Sequence, residues 1–448
     1  MYEQLPISFR QEIIQPLLAT LRAGESSSLV GVGSSGKSNV ARHLDRVDVR
    51  KYYLAEAADR VLNLYVNCAK LTDAAITVHN LHSLILEVLA KASLPGQPPP
   101  EAVSARLRDL WKEAVTSDSA ELARSNLEDG LAAVFQAGVE QVFITFDDFD
   151  AVVVTAPGPV LNSLRALRDD FKTKIMFVTV TRRELEFLRN PADFEDLLEL
   201  VAPKTMAIGP YGPADASFMV RRLAARETPP RTISGPEEAR LLELSGRHAG
   251  LIRAIYGATK DGLELLAADL AERLQTHPDV IEECERIWHS LEPDEQEQVL
   301  ALVSQGGAAG DGSTSLRKKG IIVAGEDGAL RVFSPLLAGF LAAKLPDPQL
   351  RLLPGKRVRV GSREIGNLDD IEYHLLSTLA NHFPEAASRE AMLEQMLAAE
   401  ARQPRASGPP ERRLEVYLRE LKRKLETGDR EYVTRLPDGR YQLQSKAR

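Results

Sequence analysis

Two apolar runs rich in β-branched residues, 61–66 and 142–146, have the near-continuous character of strands buried on both faces. A third, 175–180, follows a helical stretch at 161–171, and a short one at 28–31 opens the series. Strands alternating with helical segments predict a parallel sheet with crossover helices. The rhythm breaks at 93–100, where SLPGQPPP predicts an exposed loop, and again at 203–213, beyond which the pattern turns wholly helical. Residues 214–275 read as a small helical domain interrupted at 228–236. Two further units follow, divided by a linker at 345–354.

The first of these units runs helix (281–291), helix (294–304), Gly-rich loop, then Leu316-Arg317-Lys318-Lys319-Gly320 leading into Ile321-Ile322-Val323. A turn at Glu326-Asp327-Gly328 and the run Leu330-Arg331-Val332-Phe333 complete a helix-then-hairpin layout, that of a winged helix. Arg317, Lys318 and Lys319 are adjacent and so do not share one helical face, which favours an intramolecular packing role for this unit over DNA contact. The last unit begins with a small hairpin at 357–365, then a helix at 368–383 with Ile371, Leu375 and Leu379 on one face, and a second at 388–399 capped by Ser388. A loop at 402–410, rich in Pro, Ser and Gly, leads to a third helix at 411–426. There Leu414, Leu418, Leu421 and Leu425 form one apolar stripe. Arg412, Arg419, Lys422 and Arg423 lie off that stripe, where they can reach a nucleic-acid groove. A hairpin at 432–443 with the turn Pro437-Asp438-Gly439 closes the chain, and its Arg440 is placed to enter a minor groove.

Composition narrows the class. A chain of 448 residues implies two to four domains. Hydrophobic residues at 44% and charged residues at 27% exclude a disordered or collagen-like chain. No apolar run approaches the ~18 residues of a membrane helix, and the start MYEQLPISFRQEI has no secretory pattern. These point to a cytoplasmic protein without a membrane partner. Cys68 and Cys284, far apart in apolar contexts, read as buried free thiols. The net charge is −8, yet residues from 351 onward hold 19 Lys and Arg against 15 Asp and Glu, leaving the remainder at −12. A polyanion partner is therefore expected at the C-terminal fifth.

The chemistry begins at Gly31-Val32-Gly33-Ser34-Ser35-Gly36-Lys37-Ser38, which matches G-x-x-x-x-G-K-[ST] with a strand before it and a helix after it. Gly31, Gly33 and Gly36 let the backbone curl so that its amides, those of Ser34 and Ser35 included, face phosphate oxygens at the positive end of a helix dipole. Lys37 supplies charge for the outer phosphates and Ser38 a hydroxyl for Mg2+. Such a loop needs a carboxylate at the end of a neighbouring strand, and Asp147 fills that place, with Asp148 either polarising the attacking water or holding metal-bound waters. The third strand ends Val180-Thr181-Arg182-Arg183, which sets a guanidinium at the carboxyl edge. Arg182 suits bidentate contact with a terminal phosphate, with Arg183 as rival.

These residues resemble the P-loop ATPases of the AAA+ and STAND group, which includes replication-initiator ATPases and NACHT-like switches. Phe146-Asp147-Asp148-Phe149-Asp150 resembles the STAND Walker B form, Val180-Thr181-Arg182 the sensor 1 segment, and Ser245-Gly246-Arg247-His248-Ala249-Gly250-Leu251-Ile252-Arg253 the Gly-His-Pro segment and the sensor 2 Gly-x-x-Arg, with Ala249 in place of the proline. The resemblance implies that ATP or ADP is bound with Mg2+, with His248 and Arg253 as nucleotide contacts, slow hydrolysis and self-association through an arginine inserted in trans, for which Arg165 and Arg168 are candidates. The last unit resembles the winged helix-turn-helix domain of OmpR/PhoB-type regulators, carried by 418–425, Val433-Thr434 and Tyr441-Gln442-Leu443, although Arg440 stands where that family has glycine. The expected organisation is an α/β P-loop parallel-sheet ATPase domain (1–208), a helical lid (209–277), a first winged helix (278–345) and a C-terminal winged helix-turn-helix (346–448). The expected function is an ATP-dependent switch that binds double-stranded DNA and regulates transcription or another DNA transaction. The alternatives are an initiator-like DNA-remodelling ATPase and a defence or signalling switch whose winged helices bind a protein partner.

Overall fold

The computed structural model describes residues 4–71, 76–94, 101–304, 314–325, 328–345, 350–353, 356–360, 363–366, 368–383, 385–401, 408–425 and 432–443. Most of the 93–100 loop, the Gly-rich loop, the Glu326-Asp327 turn, the tip of the hairpin at 357–365 and most of the 402–410 loop lie outside the described residues. Tertiary contacts divide the chain into two units. The first holds 1–296, 310–323 and 332–336; the second holds 297–309, 324–331 and 337–448.

The first unit is built on five parallel strands, β1 (Ser27–Val30), β2 (Val61–Asn67), β3 (Gln141–Asp147), β4 (Ile175–Thr181) and β5 (Thr205–Ala207), in the order β2-β3-β4-β1-β5. β3 and β4 are buried along nearly their whole length, as their apolar runs predict. β5 has no counterpart in the sequence reading: its three residues, Thr-Met-Ala, are half exposed at the sheet edge and form no apolar run. Alternate residues of β3 serve two cores. Ile144 and Phe146 join Leu64, Val66, Phe177, Leu81, Leu127 and Leu161 on one face; Phe143 joins Ile14, Leu17, Val40, Leu44 and Met176 on the other. Three helices, Val78–Lys91, Glu101–Val115 and Ala120–Gln136, connect β2 to β3. The first has buried residues around most of its circumference, including Ser83, Leu84, Ile85 and Leu86 in succession, so no single stripe marks it in the sequence.

Because every strand runs the same way, the 31–38 loop, Asp147-Asp148, Thr181-Arg182 and Ile208 to Tyr211 all emerge at one edge. That edge is where open α/β sheets bind ligands. Beyond it come helices Pro213–Ala225, Gly235–Ser245, Ala249–Ala258, Leu270–Gln275 and Pro278–Trp288. Ser234 and Glu237 form a capping box that opens the second of these. After Pro293–Ser304 and Thr314–Lys318 stand β6 (Ile322–Ala324) and β7 (Leu330–Val332) as a two-stranded ribbon, and the division between the units runs through this stretch. Lys319 is 1% exposed, and its ammonium lies 2.8 Å from Glu295 and 3.0 Å from Glu184, a buried cation placed for packing.

In the second unit β8 (Leu350–Leu353), β9 (Arg357–Val360) and β10 (Arg363–Ile365) form an antiparallel sheet in the order β10-β9-β8. β8 occupies the segment expected as linker; it pairs with β9 from Leu350 opposite Val360 to Leu353 opposite Arg357. Helices Asp370–His382, Arg389–Glu400 and Pro410–Leu425 follow, then β11 (Val433–Arg435) paired antiparallel with β12 (Tyr441–Leu443). Ser388 caps its helix by accepting from the Ala391 amide. Leu375, Met392, Met396, Leu414, Leu418 and Leu421 share one core.

Leu421 is fully buried in that core, and Leu421→Ala is expected to cost about 2–5 kcal/mol. Both tryptophans, Trp111 and Trp288, lie in the first unit. In a urea melt of the full chain, the variant should therefore shift the far-UV dichroism transition while leaving the tryptophan fluorescence transition in place.

Candidate functional site

The 31–38 loop curls because nothing larger than glycine fits at its start. A Cβ on Gly31 would lie 2.7 Å from the Ile208 carbonyl oxygen and 2.7 Å from Ser35 Oγ, while the Gly31 amide still donates to Thr181 O at the end of β4. Gly36 has φ +94°, open to glycine at little cost, and Tyr211 Oη covers it. Helix Lys37–Asp45 then starts with no side chain capping its first turn, the arrangement that presents backbone amides to an anion. Lys37 Nζ donates to Gly31 O at 2.7 Å and Val32 O at 2.9 Å, so the ammonium is held across the mouth of the loop. Burial pulls Lys37 down to about 8, opposed by Asp150, Asp147 and Asp148 and assisted by Arg182.

Asp147, the last residue of β3, is 2% exposed. Its Oδ1 accepts from Ser38 Oγ at 3.2 Å. A hydroxyl and a buried carboxylate beside a phosphate-type loop fit a hard divalent cation that is completed by ligand oxygens. Among the described residues no three His, Cys, Asp or Glu side chains gather into a protein cage. Asp148, next along, adopts φ +54°, a left-handed conformation uncommon for a side-chain-bearing residue, and is turned into the cleft. Burial, and then the neighbouring Asp147, push its carboxyl above the usual range.

The cleft has a volume of about 530 Å3. Lys37, Arg42, Arg182, Arg222, Arg226 and Arg253 line it, against one carboxylate, Asp148, with Met219, Leu223 and Tyr211 as its apolar wall. Six cations facing one anion select a strongly anionic ligand with a flat or apolar end. Of the rivals at the end of β4, Arg182 faces this cleft and its amide is fixed by Asp150 Oδ1 at 2.8 Å. Arg183 turns away, donating to His289 O and Leu291 O and pairing with Glu292 at 3.2 Å. Arg165 donates to Asp169 and to Asp196 O, and Arg168 to Gly24 O.

Arg253 reaches the cleft from helix Ala249–Ala258. His248 does not line it. The ring is fully buried as the cap of that helix, with Nδ1 accepting from the Leu251 amide, and burial holds it down to about 3. Its ring caps the helix that carries Arg253.

Several contributors escaped the sequence reading. Arg42 is four residues past Ser38 on the same helix, a spacing that could have placed it. Tyr211 and Arg10 had no motif to announce them. Arg10, 2% exposed, stacks on Tyr211 at 4.4 Å and donates to Gly209 O, Pro210 O and Ser35 O, which ties the 31–38 loop to the segment leading into the helical region. A brace from helix Pro278–Trp288 and its C-terminal turn was also unforeseen: the Gly33 amide donates to Ser290 Oγ at 2.8 Å, and Ser34 Oγ to the buried Glu283 at 3.3 Å.

In the second unit Arg412, Arg419 and Arg423 are exposed and Lys422 is half-buried on helix Pro410–Leu425, whose leucines are buried. Arg413 and Lys424 of the same helix instead pair with Glu400 and Glu372. Arg440, exposed, is paired with Asp438 at 2.7 Å, which raises its pKa further.

No protein-family profile matches the sequence, and no curated protein matches it. Among solved structures, the Walker-type ATPase PABY2304 of Pyrococcus abyssi aligns with 76% of this chain and 99% of its own, at 15% identity and a TM-score of 0.43. The Aeropyrum pernix ORC2 protein, in ADPNP–ADP complexes, aligns with 75% of this chain and 93% of its own at 15% identity and a TM-score of 0.38. The Aeropyrum pernix ORC1 protein in complex with DNA covers 98% and is itself covered over 90%, at 14% identity and a TM-score of 0.33.

Proposed function

We propose that this chain is an ATP-dependent switch that binds double-stranded DNA through its C-terminal unit. The observation that carries the nucleotide part is the cleft, where a curled glycine loop, an uncapped helix start, the Ser38 to Asp147 hydrogen bond and six cations converge. In this reading Lys37 and Arg253 neutralise phosphate charge, Arg182 contacts the terminal phosphate, Ser38 and Asp147 hold Mg2+, and Asp148 orients the attacking water. Mg2+, when bound, neutralises charge developing on the transferred phosphoryl group. The DNA part is supported by the succession of sheet, three helices and hairpin, the layout of a winged helix-turn-helix, with Arg412, Arg419, Lys422, Arg423 and Arg440 as contacts. The contacts at the end of β4 support coupling: Arg182 faces the cleft while its neighbours Arg183 and Glu184 pair with Glu292 and Lys319, a path by which occupancy at the terminal phosphate would reach the segment that follows the helical lid. One winged helix makes few contacts, and ATP-driven self-association would bring several to one duplex.

Lys37→Ala is expected to abolish tight ATP binding in calorimetry, and Asp148→Asn to retain binding while slowing turnover; unchanged ATP affinity in Lys37→Ala would remove the nucleotide reading.

The pH dependence of binding follows from Lys37. A bound polyphosphate restores the ammonium and lifts its pKa above the value of about 8 in the empty site. Below about pH 8 the lysine is protonated in both states and affinity is flat. Above it the empty site loses the proton that the complex keeps, so affinity falls by up to about tenfold per pH unit. Calorimetry at pH 9 in buffers of different ionisation enthalpy should register proton uptake.

For DNA, Arg419→Ala in the full chain is expected to cost about 1–3 kcal/mol on a selected cognate duplex and to relax its specificity, whereas Lys422→Ala weakens all sequences alike. A salt series with ATP, with ADP and with Lys37→Ala tests the coupling, and equal affinity in all three rejects it. Turnover stimulated by DNA would instead indicate a remodelling motor, and protein capture without DNA retention a signalling switch.

A further inference from the structure

Asp147 is gripped from both sides. Oδ1 accepts from Ser38 Oγ and from the Asp148 amide, each at 3.2 Å, and Oδ2 accepts from Tyr65 Oη at 2.7 Å. Tyr65 stands on β2, paired in register with Thr145, two residues before Asp147 on β3. Its phenol oxygen also receives Arg42 Nε at 3.2 Å. The direction of both bonds is fixed by chemistry, because a guanidinium can only donate and an ionised carboxylate can only accept. The phenol must therefore take its hydrogen bond from Arg42 and give its proton to Asp147. Arg42 itself lines the cleft, so the chain Arg42, Tyr65, Asp147 runs from the anion-binding wall to the carboxylate at the end of β3.

We propose that Tyr65 is a positioning residue for the divalent cation that accompanies the nucleotide. It ties down Oδ2 so that Oδ1 stays turned to Ser38 and the phosphate loop, and Arg42 holds the phenol in the donating orientation. The inference rests on the reading of the cleft as a nucleotide site. Without Tyr65 a carboxylate that is 2% exposed loses its donor on Oδ2. It must then either rotate, which breaks its alignment with Ser38, or remain with an unsatisfied charged oxygen. Outer partners of this kind, when removed, typically lower metal affinity by about 10–100-fold. A role in packing alone would not act through the metal, since Tyr65→Phe preserves the ring.

The test uses the full chain as wild type and Tyr65→Phe, with ADP as nucleotide and Mn2+ as the probe, read by electron paramagnetic resonance. Both proteins should bind ADP in EDTA with affinities within about twofold, and thermal melting should show both folded. The protein–ADP complex of the variant should bind Mn2+ about 10–100-fold more weakly than that of wild type. Mn2+ affinity that is unchanged or tighter overturns the proposal, as does an equal loss of ADP affinity in EDTA, which would make Tyr65 a wall of the cleft. Failure of the wild type to bind ADP at all would reject the nucleotide reading and is distinguishable from either.

Discussion

The parallel pairing of β1 with β4 on one side and β5 on the other is the constraint on which the rest depends. β1 has only four residues, all buried. Gly31 remains hydrogen-bonded to Thr181 O, yet a side chain there would collide with Ile208 O from the β5 side. The chain must leave the sheet within one residue and curl, which delivers Lys37 and the start of its helix to the strand edge. β4 separates β1 from β3, so Ser38 meets Asp147 only because helix Lys37–Asp45 packs across β2, β3 and β4. The same packing brings Arg42 over Tyr65, and thereby makes the second strand part of the site.

Charge is distributed against the average. A chain of net −8 places six cations around one cleft, and such a concentration persists only where each cation is either solvated or answered by fixed dipoles. Lys37 is answered by the carbonyls of Gly31 and Val32. Arg10, further in, is answered by three carbonyls and the Tyr211 ring. That pin fixes a loop with left-handed turns at Ser34 and Gly36: Arg10 ties Ser35 to Gly209 and Pro210, and the Gly33 amide is tied to Ser290.

Much of this was legible from residue order. β2, β3 and β4 are mostly apolar, and the 31–38 loop carries its motif directly after the short β1. Asn63 and Tyr65, spaced by two on β2, escape that reading: the run 61–66 predicts a strand buried on both faces, and only the structure sets Tyr65 against Asp147. What could not be read was pairing at a distance. Nothing in the spacing of Ser290 or Glu283 ties them to Gly33 and Ser34, some 250 positions earlier, and Arg182 and Arg183 are chemically alike until the strand end aims one at the cleft and the other at Glu292. His248 sits in a motif-like segment, yet it does not line the cleft, and its Nδ1 is used locally to cap its own helix.

The C-terminal helix shows the same ambiguity in a different form. Helix Pro410–Leu425 carries six cations, and charge alone does not say which are structural. Burial decides it: Arg413 and Lys424 border the leucine stripe and reach carboxylates that are nearly or wholly buried, Glu400 and Glu372, so removing either cation would strand a charge. The outward face keeps Arg412, Arg419 and Arg423, interleaved with the exposed Glu411, Glu415 and Glu420. Its net field is therefore weak, and the +4 of the segment overstates its pull on a polyanion. On a surface of this kind any contact with a polyanion must come from the fit of individual guanidinium groups and from repetition of the unit, since bulk attraction is largely cancelled where it would act.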